Sequence, residues 1–258
     1  MSYVELRHVT SAEASALGGD AVGAIQVGAT EQHGPHLPLG TDSAITEAVL
    51  RAAAARLEEP LLVAPLLAVG RSDHHLAFPG TISVPEGAFQ ELLAAQTRAL
   101  ASAGVVRVAL FSAHAGNFAA LRAFAERGDH GALEVRAYGD AERFLAALAR
   151  AGREAGLDAP ETDSHAGAYE TSLILSLLGE DRVREFDSVE GYTAGEPGWL
   201  ERLAREGVEQ LSPNGVIGRP RGASAAAGSR ILEALSAELA GWLVESFGLT
   251  EVRHPTPT

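Results

Sequence analysis

The stretch Ala21-Val-Gly-Ala-Ile-Gln-Val-Gly-Ala-Thr-Glu-Gln-His-Gly-Pro-His-Leu-Pro-Leu-Gly-Thr-Asp42 joins an apolar run to a cluster of carboxylates, imidazoles and rigid turn residues. The short apolar run from Ala21 to Ala29 predicts a buried strand. If residues 30 to 33 stay extended, Glu31 and His33 face the same side, because side chains alternate along a strand. The glycine and prolines that follow force a bend that can return Asp42 toward them. Carboxylate and imidazole donors that converge in this way favour zinc, manganese or iron(II).

Strand and helix signals alternate along the rest of the chain. Apolar runs predict further strands at 61–69 and 105–112, and a weaker one at 133–138. Helical spacing of apolar residues predicts helices at 42–58, 85–103, 118–127, 140–155, 169–178 and 224–246, with Thr41, Asp42 or Ser43 available to cap the first. A short helix near 199–205 lies in an irregular stretch at 187–222. The alternation predicts an α/β fold, a three-layer α/β/α sandwich with a mostly parallel central sheet.

Length and composition limit what the chain can be. Its 258 residues allow one large domain or two small ones, and the lack of a dividing linker favours a single domain over residues 1–258. The absence of cysteine excludes disulfides, thiolate nucleophiles and cysteine-ligated zinc. All 20 Lys+Arg residues are arginine, which excludes a Walker phosphate loop and a pyridoxal Schiff base.

Charge and hydropathy also exclude some partners. The formal net charge of −14 argues against nucleic acid as a partner, because phosphate binding needs basic surface. No apolar run reaches the ~18 residues that a membrane span requires, and the N-terminal segment does not have the pattern of a secretion signal. We therefore expect a cytoplasmic protein without a membrane partner.

Polar residues follow three of the predicted strands, where parallel sheets place their ligand sites. Five of the 9 histidines lie in these exits: His33, His36, His74, His75 and His114. His114 at the third exit is a candidate metal ligand beside the Glu31, His33 and Asp42 group. His75 and Asn117 are candidate substrate contacts. The alternatives are a partly exposed loop position for His75 and a hydrogen bond at a helix start for Asn117.

A fourth segment, Asp163-Ser-His-Ala-Gly-Ala-Tyr-Glu-Thr-Ser172, adds acid and base groups. His165 is a candidate proton donor to a leaving nitrogen, because its ordinary pKa of ~6.5 lies near neutrality. Asp163 is a candidate to orient it, with a plain surface role as the alternative. Glu170 opens the following helix, where the helix dipole also favours a carboxylate.

Four segments together resemble the creatininase family of metal-dependent amidohydrolases. They are Thr30-Glu-Gln-His-Gly-Pro-His-Leu-Pro-Leu39, Phe78-Pro-Gly-Thr81, His114-Ala-Gly-Asn117 and His165-Ala-Gly-Ala-Tyr-Glu-Thr-Ser172, and their order covers nearly the whole chain. The resemblance implies one or two divalent metals (Zn, Mn or Fe(II)) on Glu31, His33, Asp42 and His114, with Asp42 bridging. It also implies hydrolysis of an amide C–N bond and a homo-oligomer, a hexamer in the family. The ligand types favour attack by a metal-activated water, with His165 as the catalytic proton donor to the leaving nitrogen and Glu170 as a second-metal ligand or proton shuttle.

The Glu31-to-Leu39 element further resembles family members that trim the precursor peptide of the redox cofactor mycofactocin, so a short peptide is the expected substrate. Creatininase itself has a glutamate at the position of Gly116, so the second metal in this chain needs another carboxylate. Glu170 is the candidate for this ligand, and its alternative role is that of a proton shuttle. Creatininase also holds its flat substrate with tryptophans, whereas residues 1–198 contain none. Two other functions remain open: hydrolysis of a cyclic amide or a formylated amine, and a non-catalytic metal-binding scaffold.

Overall fold

A computed structural model of the protein describes residues 2–252. Within this range the strands are β1 (Tyr3–Glu5), β2 (Val22–Gln26), β3 (Leu61–Val63), β4 (Arg107–Phe111) and β5 (Glu134–Ala137). They form one sheet in the order β1-β3-β2-β4-β5, and every neighbouring pair is parallel. Ala24 of β2 lies opposite Val63 on one side and Ala109 on the other. The predicted parallel sheet is confirmed.

Eight α-helices lie within the described range, and seven of them pack on the two faces of this sheet. They are α1 (Ser11–Gly18), α2 (Thr41–Ala54), α3 (Glu86–Ser102), α4 (Phe118–Ala125), α5 (Ala141–Glu154), α6 (Ala168–Leu178), α7 (Trp199–Glu206) and α8 (Ala225–Phe247). None of the helices in residues 2–252 is long and apolar enough to cross a membrane.

Alternation along the strands separates two hydrophobic cores. Ala109 and Phe111 of β4 face the core formed with α2, α5, α6 and α8, whereas Val108 and Leu110 face the core formed with α1, α3 and α4. Helices therefore cover both faces, and the predicted three-layer sandwich is confirmed. In the second core Phe89 of α3 is fully buried, and loss of such a ring costs about 3–5 kcal/mol.

The order of the strands creates a crevice between β2 and β4. From β2 the chain passes through α2 to β3 on one side, and from β4 it passes through α4 to β5 on the other side. Connections that diverge from neighbouring parallel strands leave an opening beyond their carboxyl ends, and ligands bind there in open α/β sheets. The loops at 27–40 and 112–117 border this opening, and the loop at 64–85 approaches it from β3.

The elements differ from the sequence predictions at several ends. The predicted strand at 61–69 stops at Val63, because Pro65 cannot donate to the ladder. Helix α2 begins after Gly40 without a side-chain cap, because Asp42 faces the crevice and the Ser43 hydroxyl donates to the carbonyl of Ala29. The edge strand β1 and the helix α1 are not predicted at all.

Candidate metal centre

The segment after β2 directs two buried side chains into the crevice. Glu31 and His33 are both 0% exposed. The His33 Nδ1–H donates to the carbonyl of Glu31 over 3.1 Å, so Nε2 is the nitrogen that can bind a metal once it is deprotonated. That Nε2 lies 3.6 Å from Asp42 Oδ1 and 3.7 Å from Glu170 Oε2. The bend after His33 thus returns Asp42 toward His33, as the sequence predicts.

His114 reaches the same carboxylates from the end of β4. Its Nδ1 lies 3.5 Å from Asp42 Oδ2, and its Nε2 lies 3.2 Å from Glu31 Oε2. Nε2 also lies 3.0 Å from the carbonyl of Arg71, an acceptor that can hold the proton on that nitrogen. In that tautomer Nδ1 is the nitrogen free to bind a metal beside Asp42.

The donor atoms fall into overlapping groups whose members lie within 4.8 Å of one another. One group contains Glu31, Asp42 and His114, and another contains His33, Asp42 and Glu170. Asp42 belongs to both, which is the arrangement of a carboxylate shared by two ions. A third group joins Glu31 and His33 to His165.

The chemistry of these donors fits one or two divalent ions. Both carboxylate oxygens of Glu31, Nε2 of His33 and Oδ2 of Asp42 are buried without a hydrogen-bond partner. A buried polar atom without a partner is costly, and a buried carboxylate is more so. Oxygen and imidazole ligands without thiolate suit Zn, Mn or Fe(II). The unsatisfied atoms all face the same small space, where a cation would satisfy them together.

Burial and neighbouring charges shift the pKa values of the side chains in this cluster in opposite directions. Burial raises the pKa of Glu31 to about 7, and the nearby Asp42 carboxylate adds to the effect. Burial likewise raises the pKa of Glu170 to about 7. Burial lowers the pKa of His33, but Asp42 and the other carboxylates outweigh it and raise that pKa to about 10. Asp42 keeps a lowered pKa despite burial, because His33 and His114 stabilise its charge.

Gly116 lies too close to His114 to carry a side chain. A Cβ atom there would stand 2.3 Å from His114 Nε2 and 2.5 Å from the Arg71 carbonyl. The main chain at this position therefore leaves no room for a carboxylate ligand. Glu170, from the first turn of α6, is the carboxylate that reaches His33 and Asp42 instead.

A left-handed turn brings His165 and Glu170 to the site. Ala166 has φ +53°, the only positive value for a non-glycine among the described residues. Its N–H donates to Glu170 Oε2 over 2.6 Å. Such strain in a buried turn is typical of functional sites. The turn fixes the carboxylate of Glu170, and it leaves His165 Nδ1 3.7 Å from Glu31 Oε1.

Asp163 does not orient His165, nor does it lie on the surface. It is buried, and its carboxylate accepts the N–H groups of Ala168, Tyr169 and Arg219. Burial raises its pKa to about 6. Asp163 therefore anchors the start of α6, while His165 Nε2 lies 2.8 Å from the main-chain carbonyl of Gln32.

The two candidate substrate contacts are both buried. His75 is 2% exposed, and its Nε2 lies 3.3 Å from Glu31 Oε1. The Asn117 amide donates to Gly28 and Ser112 and accepts from the N–H of Arg71, so it ties three loops together. It does not cap the adjacent helix. The substrate role of both residues stays a prediction.

Two features of the site, Gln32 and the apolar wall of the cavity, are not predicted from the sequence. Gln32 lies between two candidate ligands and contacts both His75 and His165, and its position inside the motif is the signal that could have identified it. A cavity of about 100 Å³ opens above the candidate ligands, and its apolar wall is formed by Phe144, Leu145, Leu200 and Leu203. A larger groove of about 910 Å³ lies elsewhere and offers Glu13 and Glu58 but no imidazole.

Comparison with known proteins gives consistent matches. Residues 7–243 match the family described as creatininase, creatinine amidohydrolase. The mycofactocin precursor peptide peptidase of Mycolicibacterium smegmatis is 36% identical over 214 residues, which are 80% of this chain and 78% of that protein. A solved manganese creatininase is 26% identical with a TM-score of 0.69, covering 95% of this chain and 99% of that one. A mutant creatininase of the Zn-Zn type is 25% identical with a TM-score of 0.66, covering 95% and 98%.

Proposed function

Because this chain belongs to the creatininase family of amidohydrolases, we propose that it is a metal-dependent peptidase that trims the mycofactocin precursor peptide. The main support for this proposal is a cluster of candidate metal ligands in a chain that is 36% identical to a mycofactocin precursor peptide peptidase. The cluster consists of Glu31, His33, Asp42, His114 and Glu170. Its cytoplasmic location and its assembly as a homo-oligomer stay predictions.

We propose two ions in each chain. Glu31, Asp42 and His114 would hold one, and His33, Asp42 and Glu170 the other, since these are the two groups that share Asp42. Manganese and zinc are supported by the metals named for the creatininase structures, and iron(II) suits the same donors. When bound, such ions lower the pKa of a water toward neutrality and polarise the scissile carbonyl.

The side chains around the cluster have separate tasks in this proposal. His165 accepts a proton from the attacking water as a neutral imidazole, and the imidazolium that forms donates this proton to the leaving nitrogen. Burial holds the pKa of His165 well below its usual range, so it begins neutral. Leu200 and Leu203 of α7 narrow the entrance and exclude bulk water.

The wall of the cavity favours a peptide over a flat cyclic amide. The only tryptophans are Trp199 and Trp242, and neither lines the cavity above the cluster. Aliphatic and phenyl groups can contact an apolar peptide side chain but provide no pair of indole rings to clasp a small planar ring. Hydrolysis of a cyclic amide or a formylated amine is the second candidate, since the family's own description names creatinine.

A substrate panel tests this proposal. The purified chain, loaded in turn with Mn²⁺, Zn²⁺ or Fe²⁺, is incubated with mycofactocin precursor peptide, creatinine and a formylated amine, and products are separated by mass. We expect cleavage of the peptide alone, its loss in His165→Ala, and no change in His8→Ala, which replaces an exposed histidine. Preferential turnover of creatinine or the formylated amine would replace the peptidase assignment. Metal binding without turnover of any substrate would favour the scaffold.

A further inference from the structure

Two main-chain groups fix the orientation of the buried Gln32 side chain. Its Oε1 accepts the N–H of Gly34 over 2.9 Å, and its Nε2 donates to the carbonyl of Gly215 over 3.0 Å. A carbonyl accepts only and a main-chain N–H donates only, so the two ends of the amide cannot be exchanged. One hydrogen on Nε2 remains for another acceptor.

That hydrogen determines the tautomer of His75. Nδ1 of His75 lies 2.8 Å from Gln32 Nε2. Because the amide nitrogen can only donate, Nδ1 must be the acceptor, and the ring proton lies on Nε2. This Nε2 stands 3.3 Å from Glu31 Oε1. His75 therefore turns an N–H, and not a lone pair, toward the carboxylate.

The main chain of the same residue determines the tautomer of His165. Nε2 of His165 lies 2.8 Å from the carbonyl oxygen of Gln32 and 3.0 Å from its amide nitrogen. Both hydrogens of that amide are already directed at Gly215 and His75, so the carbonyl is the partner and the proton lies on His165 Nε2. Its Nδ1 is left unprotonated, 3.7 Å from Glu31 Oε1.

We propose that Gln32 is a positioning residue that assigns opposite roles to the two histidines beside Glu31. Its side chain places the ring proton of His75 on Nε2, which therefore cannot bind a metal, and its main chain leaves Nδ1 of His165 free to accept a proton. The proton of the attacking water then has one destination, His165 Nδ1, from which it passes to the leaving nitrogen. This last step rests on the proposed function, whereas the tautomers do not.

Nitrogen NMR of histidine-labelled, metal-free protein tests the tautomers directly. His75→Asn and His165→Asn each remove one set of signals and so assign the spectrum. We expect protonated Nε2 and unprotonated Nδ1 in both rings, with Nδ1 of His75 accepting a hydrogen bond. In Gln32→Glu, where a carboxylate can accept from His75, we expect the proton of His75 to move to Nδ1. In the wild-type protein, a proton on Nδ1 of His75, or a mixture of tautomers in either ring, would overturn the proposal. This result needs only the wild-type protein, so it decides the question even if Gln32→Glu does not fold.

Kinetics provide a second readout. Gln32→Ala should lower kcat about 10- to 100-fold, the usual effect of losing a residue that orients a metal site, and leave KM within about twofold. The matched control is Gln26→Ala, which removes another buried glutamine that donates to a main-chain carbonyl but contacts no histidine, and which should keep kcat. An equal loss of kcat in both variants would indicate a general effect on folding and refute the positioning role. If no substrate is turned over, the proposed function fails and the NMR result still decides the tautomers.

Discussion

Metal loading should release protons, and the structure gives their number. Metal ligands must be deprotonated, so an ion displaces every proton that its ligands hold. Glu31 and Glu170 each have a pKa of about 7 without the metal, and His33 has a pKa of about 10. At pH 7 the two carboxyls carry about half a proton each and His33 about one. Full loading should therefore release about two protons per chain from these three groups. His114 adds to this release, because Glu31 and Asp42 raise its pKa above the usual value despite burial.

The same pKa values determine how the metal affinity changes with pH. The free protein holds protons that the loaded protein lacks, so metal affinity rises with pH. Below pH 7 all three groups compete with the ion. Between pH 7 and pH 10 Glu31 and Glu170 lose their protons, so the release from these three groups falls to about one proton per chain, which comes from His33.

Calorimetric titration with Mn²⁺ or Zn²⁺, in buffers of equal pH and different ionisation enthalpy, measures this release. Glu170→Gln should reduce it by about half a proton at pH 7. Glu134→Gln, in the strand β5 outside the cluster, should leave it unchanged. Loading without proton release, or a release that does not change in Glu170→Gln, would refute the assignment of these groups as ligands.

Three further predictions concern packing. Gly116→Ala places a methyl group against His114 and should weaken metal affinity at least about 10-fold. The control Gly87→Ala has open space around its Cβ and should keep the metal affinity. Equilibrium competition with a chelator measures the affinity of both variants. Gly241→Ala in α8, also with open space, should raise the free energy of unfolding by about 0.5–1 kcal/mol, and a lower value in denaturant titration would contradict this. Phe89→Ala should lower the free energy of unfolding by about 3–5 kcal/mol, while the folded fraction of the variant keeps its metal affinity.

The candidate metal centre was largely predictable because most of its residues follow strands. Parallel strands bring their carboxyl ends together, so Glu31, His33 and His114 could be placed at one edge from strand order alone. Asp42 could be added because the bend before it is set by proline and glycine. The helices from α2 to α8 were predictable because each has apolar residues at helical spacing.

Other features depend on contacts between distant segments. β1 has three residues and is held by pairing with β3, which local sequence does not encode. The role of Gln32 depends on Gly215, 183 residues further along the chain. Asp163 has a charge typical of the surface, but it is buried because three main-chain N–H groups of a helix start and a later loop converge on it.

Removal and return of the metal tests whether cleavage of a peptide amide depends on a divalent ion at this cluster. The protein is stripped with a chelator, dialysed, and assayed for cleavage of the precursor peptide before and after addition of Mn²⁺, Zn²⁺ or Fe²⁺. We predict no cleavage by the stripped protein, recovery with at least one of the ions, and neither bound metal nor recovery in Asp42→Ala. Full cleavage by the stripped protein, or by Asp42→Ala, would show that the peptide is not cleaved by a metal bound to this cluster.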